Sequence, residues 1–217
     1  MRETVFIIDD DTSVRRSLSR LLRAEDILTE DFGSAMAYLD RAGYDGVACI
    51  LLDVDMPEIN GIELQKQLVD QGHDLPIVFL TGHGDIPMSV QAMKRGAMDF
   101  LTKPVDEADL LSAVRQALER HRAIRDETRT RDSIRARMDG LTPREQEIVQ
   151  HLITGAPNKV IADRLQIAVK TVKVHRAHVM EKMGVRSVAE LLHLCHLVGT
   201  EPGTTPSRWG RSKVGSE

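Results

Sequence analysis

Cysteine is scarce: Cys49 and Cys195 are the only two in 217 residues, one inside an apolar run of strand character and the other in a helical pattern. Two thiols so placed supply neither a disulfide framework nor the paired spacing of a metal site, which agrees with a reducing compartment. Long apolar runs are missing as well. No segment approaches the ~18–20 continuous apolar residues that span a bilayer. Met1, Arg2 and Glu3 lead into only five apolar or β-forming residues before Asp9, too few for the core of a signal peptide. A soluble, cytoplasmic protein with no membrane partner is expected. The chain also lacks internal repeats and any tract of like charge.

What is present is an uneven distribution of charge. The formal total is only -4, yet residues 1–118 carry 11 basic and 21 acidic side chains, whereas residues 119–217 carry 18 and 12. An acidic half joined to a basic half suggests a cation or phosphoryl site in the first and a polyanion partner for the second. At this length two domains are expected.

In the first half, short apolar runs read as strands over Thr4–Ile8, Ile27–Phe32, Val47–Leu52, Pro76–Leu80 and Met98–Thr102. Helical spacing links Val14, Leu18, Leu21 and Leu22, then Ile62, Leu64, Leu68 and Val69, then Leu110, Leu111, Val114 and Leu118. Strands alternating with helices predict right-handed crossovers and a five-stranded, doubly wound parallel sheet, flavodoxin-like, with functional residues at the carboxyl ends of its strands. From Glu119 to Asp139 the chain is densely charged and free of Gly and Pro, with only Ile124, Ile134 and Met138 large and apolar. It reads as a solvated helical linker. The predicted layout is a first domain over 1–119, this linker over 120–139, a four-helix domain over 140–199 and a disordered, Gly-, Pro-, Ser- and Thr-rich tail over 200–217.

Asp9, Asp10 and Asp11 follow the first strand, and Asp53 and Asp55 the third. Adjacent strand ends bring these carboxylates together, an unfavourable gathering unless a hard cation neutralises it; Mg²⁺ (or Mn²⁺), which favours oxygen ligands, suits such a cluster. Asp11 is expected instead to cap the helix beginning near Thr12. Thr81 and Lys103, at two further strand ends, supply a hydroxyl and a compact cation. Together these groups suit an aspartyl phosphate: Asp53 as nucleophile, a cation screening it, and Thr81 with Lys103 on the phosphoryl oxygens.

These residues resemble a two-component receiver domain over about residues 4–120, through Ile7-Ile8-Asp9-Asp10-Asp11, Leu52-Asp53-Val54-Asp55-Met56-Pro57, Gly61, Thr81-Gly82 and Lys103-Pro104. The resemblance implies that Asp53 is the phosphoacceptor and Asp9 and Asp10 the acidic pocket. It further implies that the backbone carbonyl of Asp55 is a metal ligand and that the Lys103–Pro104 bond is cis. It makes Thr81 and Phe100 the moving parts of a switch, although a Phe at position 100 has no hydroxyl to offer at the signalling face.

The second half opens with Leu141-Thr142-Pro143-Arg144-Glu145, a helix start with Thr142 as cap, Pro143 in the first position and Glu145 closing a capping box. Ile148, Val149, Leu152 and Ile153 give this helix its buried face. Asn158 is expected to cap a second helix ending near Leu165, and a third runs from Val169 to Met183, stopped by Gly184. On the third, Val172, Val179 and Met183 can face the core while Lys170, Lys173, Val174 and Arg176 stay outside. A charged outer face is most often merely solvated; the order of motifs argues for more. Leu141–Val198 resembles the LuxR-type DNA-binding domain of the FixJ/NarL subfamily, through Leu-Thr-Pro-Arg-Glu, Asn158-Lys159-Val160-Ile161-Ala162 and Thr171-Val172-Lys173-Val174-His175-Arg176. That resemblance places the third helix in the major groove, with Lys173 and Val174 at base edges and Lys159, Lys170 and Thr171 at phosphates. It assigns the fourth helix, Ser187–Leu197, to pairing two copies. Ala168 stands where a capping Ser is common.

The implied partners are a sensor histidine kinase, double-stranded operator DNA, a second copy of the chain when phosphorylated, and RNA polymerase. Two other classes compete. Ile50-Leu51-Leu52-Asp53-Val54-Asp55 is similar to the nucleophile strand of haloacid-dehalogenase-type phosphatases, with the second Asp as acid and base, but Met56-Pro57 and the upstream Asp pair fit a receiver better. A module regulating partners without DNA would have no salt-dependent DNA affinity.

Overall fold

The computed structural model describes residues 3–82, 90 and 92–200. The chain divides at Asp126 into two compact units. In the first, strands β1 (Glu3–Ile8), β2 (Leu28–Phe32), β3 (Val47–Asp53), β4 (Ile77–Thr81) and β5 (Asp99–Thr102) form one parallel sheet in the order β2-β1-β3-β4-β5. The order reverses between β1 and β3, which opens a crevice at the carboxyl ends of those two strands.

The period of two along each strand sorts the side chains into two cores. Val5, Ile7, Cys49, Leu51, Val78 and Leu80 point to one face and meet Leu18 and Leu22 of helix α1 (Thr12–Ala24). Phe6, Ile8, Ile50, Leu52 and Phe79 point to the other and meet Leu64 and Leu68 of helix α3 (Gly61–Asp70), and Tyr38 of helix α2 (Ala35–Leu39). All seven residues of β3 are buried, as expected of a central strand covered on both faces. Strand bounds lie within one residue of those read from the sequence. Helix α2 is the exception: five residues are too few to display a helical period.

Helix α4 spans Glu107–Asp139, so the segment read as a solvated linker is helical but not merely a linker. Its early turns belong to the first unit, where Leu110, Val114 and Leu118 are core residues. His121 follows them, and its Nδ1 accepts a hydrogen bond of 2.8 Å from the buried Ala48 N–H. That N–H lies beyond the start of β4, whose pairing with β3 begins at Ile50, so the imidazole satisfies a donor that no strand reaches. Burial above all holds the His121 pKa below its ordinary value, outweighing the pull of Asp74. In the last turns Ile134 and Met138 are buried in the core of the second unit. Two of the three large apolar residues of this charged segment, Ile134 and Met138, are thus taken up by that core, whereas Ile124 stays half-exposed.

The second unit continues with helices α5 (Pro143–Ile153), α6 (Asn158–Leu165), α7 (Val169–Met183) and α8 (Val188–Leu197). Ile148, Val149, Leu152, Ile161, Val172, Val179, Met183, Leu191 and Cys195 form its core. Thr142 and Glu145 make the reciprocal capping box, and Gly184 ends α7 in the left-handed region at φ 66. One expected cap is displaced. Pro157, not Asn158, occupies the cap position of α6, and its carbonyl accepts the first helical bond, from Ile161 N–H. Asn158 Oδ1 is thereby released and accepts from Arg176 Nη1 at 3.3 Å. The tail read over 200–217 lies outside the described residues except for Thr200, which is buried and donates its N–H to Cys195 O at 2.9 Å.

Ala168 has the extended geometry of an N-cap but makes no side-chain hydrogen bond. An Ala168→Ser substitution is therefore expected to stabilise the second unit by about 1 kcal/mol, measured as a rise in denaturation midpoint at an unchanged m-value. No helix among the described residues is long and apolar enough to cross a membrane.

Candidate functional site

The chemistry-bearing residues of the first unit stand at successive strand ends because each strand terminates where its apolar run stops. Asp9 and Asp10 follow β1, Asp53 is the last residue of β3, Thr81 the last of β4, and Lys103 follows β5. The carboxylates of Asp9, Asp10 and Asp53 each place an oxygen within 4.8 Å of the others. Asp9 and Asp53 are buried, and Asp10 is exposed at the mouth.

Lys103 ties the cluster together. Its ammonium lies 2.7 Å from Asp9 Oδ2 and 2.9 Å from Asp53 Oδ1, with the side chain 23% exposed. Lys103 N–H donates to Thr81 O at 2.6 Å, and its bond to Pro104 is cis. Burial pushes the Lys103 pKa down, but the hydrogen bonds and charges of Asp9 and Asp53 overcome this and leave it raised. Burial pushes the Asp53 carboxyl up, and the charge of Asp9 adds to this; Lys103 and the Asp55 N–H oppose it without reversing it. Ionised Asp53 is thus held in the fold at a cost. Three carboxylates facing one ammonium leave excess negative charge, an all-oxygen donor set that fits a hard divalent cation and no softer metal.

Two neighbouring residues, Gly61, which the sequence singles out, and Arg15, which it does not, bear on the cluster. A Cβ on Gly61 would lie 2.3 Å from the Asp53 carbonyl oxygen, and the Gly61 N–H donates to Val54 O at 3.0 Å. Only glycine lets the start of α3 approach the end of β3 this closely. Arg15, a charged helix residue that sequence reading passes over, directs its guanidinium at the carbonyls of Asp9 and Asp10. The remaining sequence candidates are placed as follows. Asp55 is exposed. Thr81 is buried. Phe100 is half-buried, with its ring 5.6 Å from that of Phe79. Asp11 caps α1 through Ser13 and Val14 N–H, apart from the cluster's ligand set.

In the second unit the candidate nucleic-acid surface lies on α7 and the start of α6. Val172, Val179 and Met183 turn inward, so the helical period leaves Lys170 and Val174 on the opposite side and Thr171 and Lys173 on its flanks, all exposed, Val174 by 46%. Lys159 is exposed on the first turn of α6. Arg176 is only half-exposed, its guanidinium engaged with Asn158. Behind this surface the helices are locked by polar contacts. Lys182 Nζ lies 2.7 Å from buried Glu145 Oε2, Arg144 donates to Leu165 O at 2.6 Å, and Arg137 donates to Met183 O at 3.1 Å. Such an arrangement offers phosphates mobile cations and base edges a Lys and an apolar side chain, on a rigid helix.

Both units have counterparts among known proteins. Residues 5–115 match the response regulator receiver domain, and residues 139–195 match the bacterial regulatory proteins of the luxR family. Nodulation protein W of Bradyrhizobium diazoefficiens is 42% identical over 201 residues, covering 93% of this chain and 88% of that protein. Transcriptional regulatory protein FixJ of Azorhizobium caulinodans is 41% identical over 198 residues, covering 91% and 94%. Among solved structures, the response regulator StyR superposes with a TM-score of 0.84 at 45% identity, over 90% of this chain and 99% of that one. Matches to both domains in this order, and to whole regulators along nearly their full length, leave one conclusion: the chain belongs to the two-component response regulators that join a receiver to a LuxR-type DNA-binding domain.

Proposed function

We propose that a sensor histidine kinase transfers a phosphoryl group to Asp53, that the receiver rearranges and pairs with a second copy, and that the pair binds two-fold-related operator DNA in the cytoplasm. The observation that carries this reading is the Lys103 ammonium seated between Asp9 and Asp53 at hydrogen-bond distance from both. In the transfer, a carboxylate oxygen of Asp53 attacks phosphorus, the bond from phosphorus to the donor nitrogen breaks, and that nitrogen takes back its electron pair. Asp9, Asp10, Asp53 and the backbone carbonyl of Asp55 would hold Mg²⁺ (or Mn²⁺), which supplies neutralising charge as the phosphoryl oxygens approach. Lys103 can exchange a carboxylate partner for a phosphoryl oxygen. The Thr81 hydroxyl takes another, and Phe100 moves into the space that Thr81 leaves. Self-phosphorylation from small donors and slow autodephosphorylation are the only chemistry expected of the chain.

On DNA, Lys173 and Val174 meet base edges and Lys159, Lys170 and Thr171 meet phosphates, with Arg176 a further contact from the same helix and half-sites about one helical turn apart. RNA polymerase is the further partner such a regulator engages. A Lys173→Ala protein is expected to lose about 1–3 kcal/mol of discrimination between operator and altered sites. A Lys159→Ala protein should bind all sequences more weakly and show a salt dependence shallower by about one counterion. Titrations of operator and scrambled duplex at several salt concentrations measure both. Identical behaviour of the two variants contradicts the assigned roles.

A further inference from the structure

Arg15 lies on the first turn of α1, yet its side chain is only 13% exposed. It folds back beneath the loop that carries Asp9 and Asp10. Nη1 donates to Asp9 O at 2.7 Å and to Asp10 O at 3.0 Å; Nη2 donates to Thr12 Oγ1 at 3.0 Å, and Nε to Asp31 Oδ2 at 3.3 Å. One planar group therefore fixes the loop at three consecutive or nearly consecutive points and ties it to the end of β2. An ammonium cannot match this fork.

The peptide group between Asp10 and Asp11 carries the effect into the cleft. Its carbonyl oxygen accepts from Arg15, and its N–H donates to Asp9 Oδ1 at 2.8 Å. The other oxygen of Asp9 accepts from Lys103 at 2.7 Å. The buried Asp9 carboxylate is thus held at one end by Lys103 and at the other by an amide that Arg15 orients and polarises. Hydrogen bonds in such a chain strengthen one another in a poorly solvated site.

We infer that Arg15 is a positioning residue for the metal and phosphoryl cleft, acting through the Asp10–Asp11 peptide on the carboxylate of Asp9. This rests on the reading of the cleft as a divalent-cation and phosphoryl site. It makes a prediction opposite in sign to a simple charge effect. A cation beside carboxylates repels a divalent ion, so on Coulomb's law alone its removal should tighten metal binding. A positioning role requires removal to weaken it, by about tenfold or more, as for other groups that orient metal ligands.

The test is Mn²⁺ binding to the full-length, unphosphorylated chain, followed by electron paramagnetic resonance, for the parent, Arg15→Gln and Arg15→Lys. The Asp11 amide is followed alongside by hydrogen exchange. Both variants should bind Mn²⁺ at least tenfold more weakly and lose protection at Asp11, Lys because it keeps the charge but not the fork. Affinity equal to or tighter than the parent's in Arg15→Gln overturns the proposal. So does parental affinity in Arg15→Lys, which preserves a test if Arg15→Gln fails to fold. A parent that binds no Mn²⁺, and is indifferent to Asp53→Asn, overturns the reading of the cleft itself and the proposal with it.

Discussion

An Asp53→Asn chain is expected to lose donor-driven phosphorylation completely and, in metal-free buffer, to unfold at a higher temperature than its parent. The two results come from one cause. Burial and the neighbouring Asp9 hold the Asp53 carboxyl above its ordinary range. A raised carboxyl favours the fold while protonated and costs stability once pH rises through its folded-state value, so at neutral pH the ionised side chain opposes folding. Asn keeps the shape and removes the charge. Mg²⁺ should narrow the difference: an ion that binds only the folded parent stabilises it by about 2.7 kcal/mol at a hundredfold excess over Kd, and a cluster with one carboxylate fewer gains less. Thermal unfolding with and without Mg²⁺ reads the stability, and donor-induced pairing and DNA affinity read the function. A destabilised Asp53→Asn protein would contradict the electrostatic account, and retained pairing on addition of donor would contradict the switch.

The second large effect is expected in the other unit. Burial alone would raise the Glu145 carboxyl. The Lys182 ammonium and the hydrogen bonds from Thr142 outweigh it and lower the pKa to about 2. One carboxylate thereby closes the capping box of α5 through the Thr142 N–H at 2.8 Å and anchors α7 through Lys182 at 2.7 Å. Glu145→Ala removes a cap contact and a charge-assisted hydrogen bond and should cost about 2–3 kcal/mol, a fall of about 10 °C or more in the midpoint of a unit this size. Because the folded-state value lies below the ordinary one, this contribution is complete above about pH 5 and is lost as pH falls towards 2. The parent should therefore become acid-sensitive over that window and Glu145→Ala much less so. Equal acid sensitivity of the two proteins would show that Glu145 is not the responsible group.

The cleft of carboxylates and Lys103 is more legible in the sequence than the contacts that support it, for a physical reason. Asp9, Asp53, Thr81 and Lys103 are legible because each stands where an apolar run ends, and parallel strands bring such ends together whatever surrounds them. Arg15 is not legible: on a charged helix face it looks solvated, and only the fold reveals that it turns back towards two carbonyls. The helix starts at Thr142 and Asp11 could be read because capping depends on a local spacing. Asn158 misled because the preceding Pro157 already had the extended backbone of a cap, leaving the Asn side chain to Arg176 instead. The linker misled in a different way. Ile134 and Met138 are too few to signal a core by periodicity, yet each is buried among helices that follow it in the chain.

The central claim is that a side-chain carboxylate at the end of β3 becomes covalently phosphorylated. Peptide mass spectrometry of the full-length chain treated with acetyl phosphate, with and without Mg²⁺, tests it most directly. The account predicts one phosphate, on Asp53, formed only when the divalent cation is supplied and absent from Asp53→Asn. A phosphate on another residue, or none on Asp53 under conditions that label a known receiver, would contradict it.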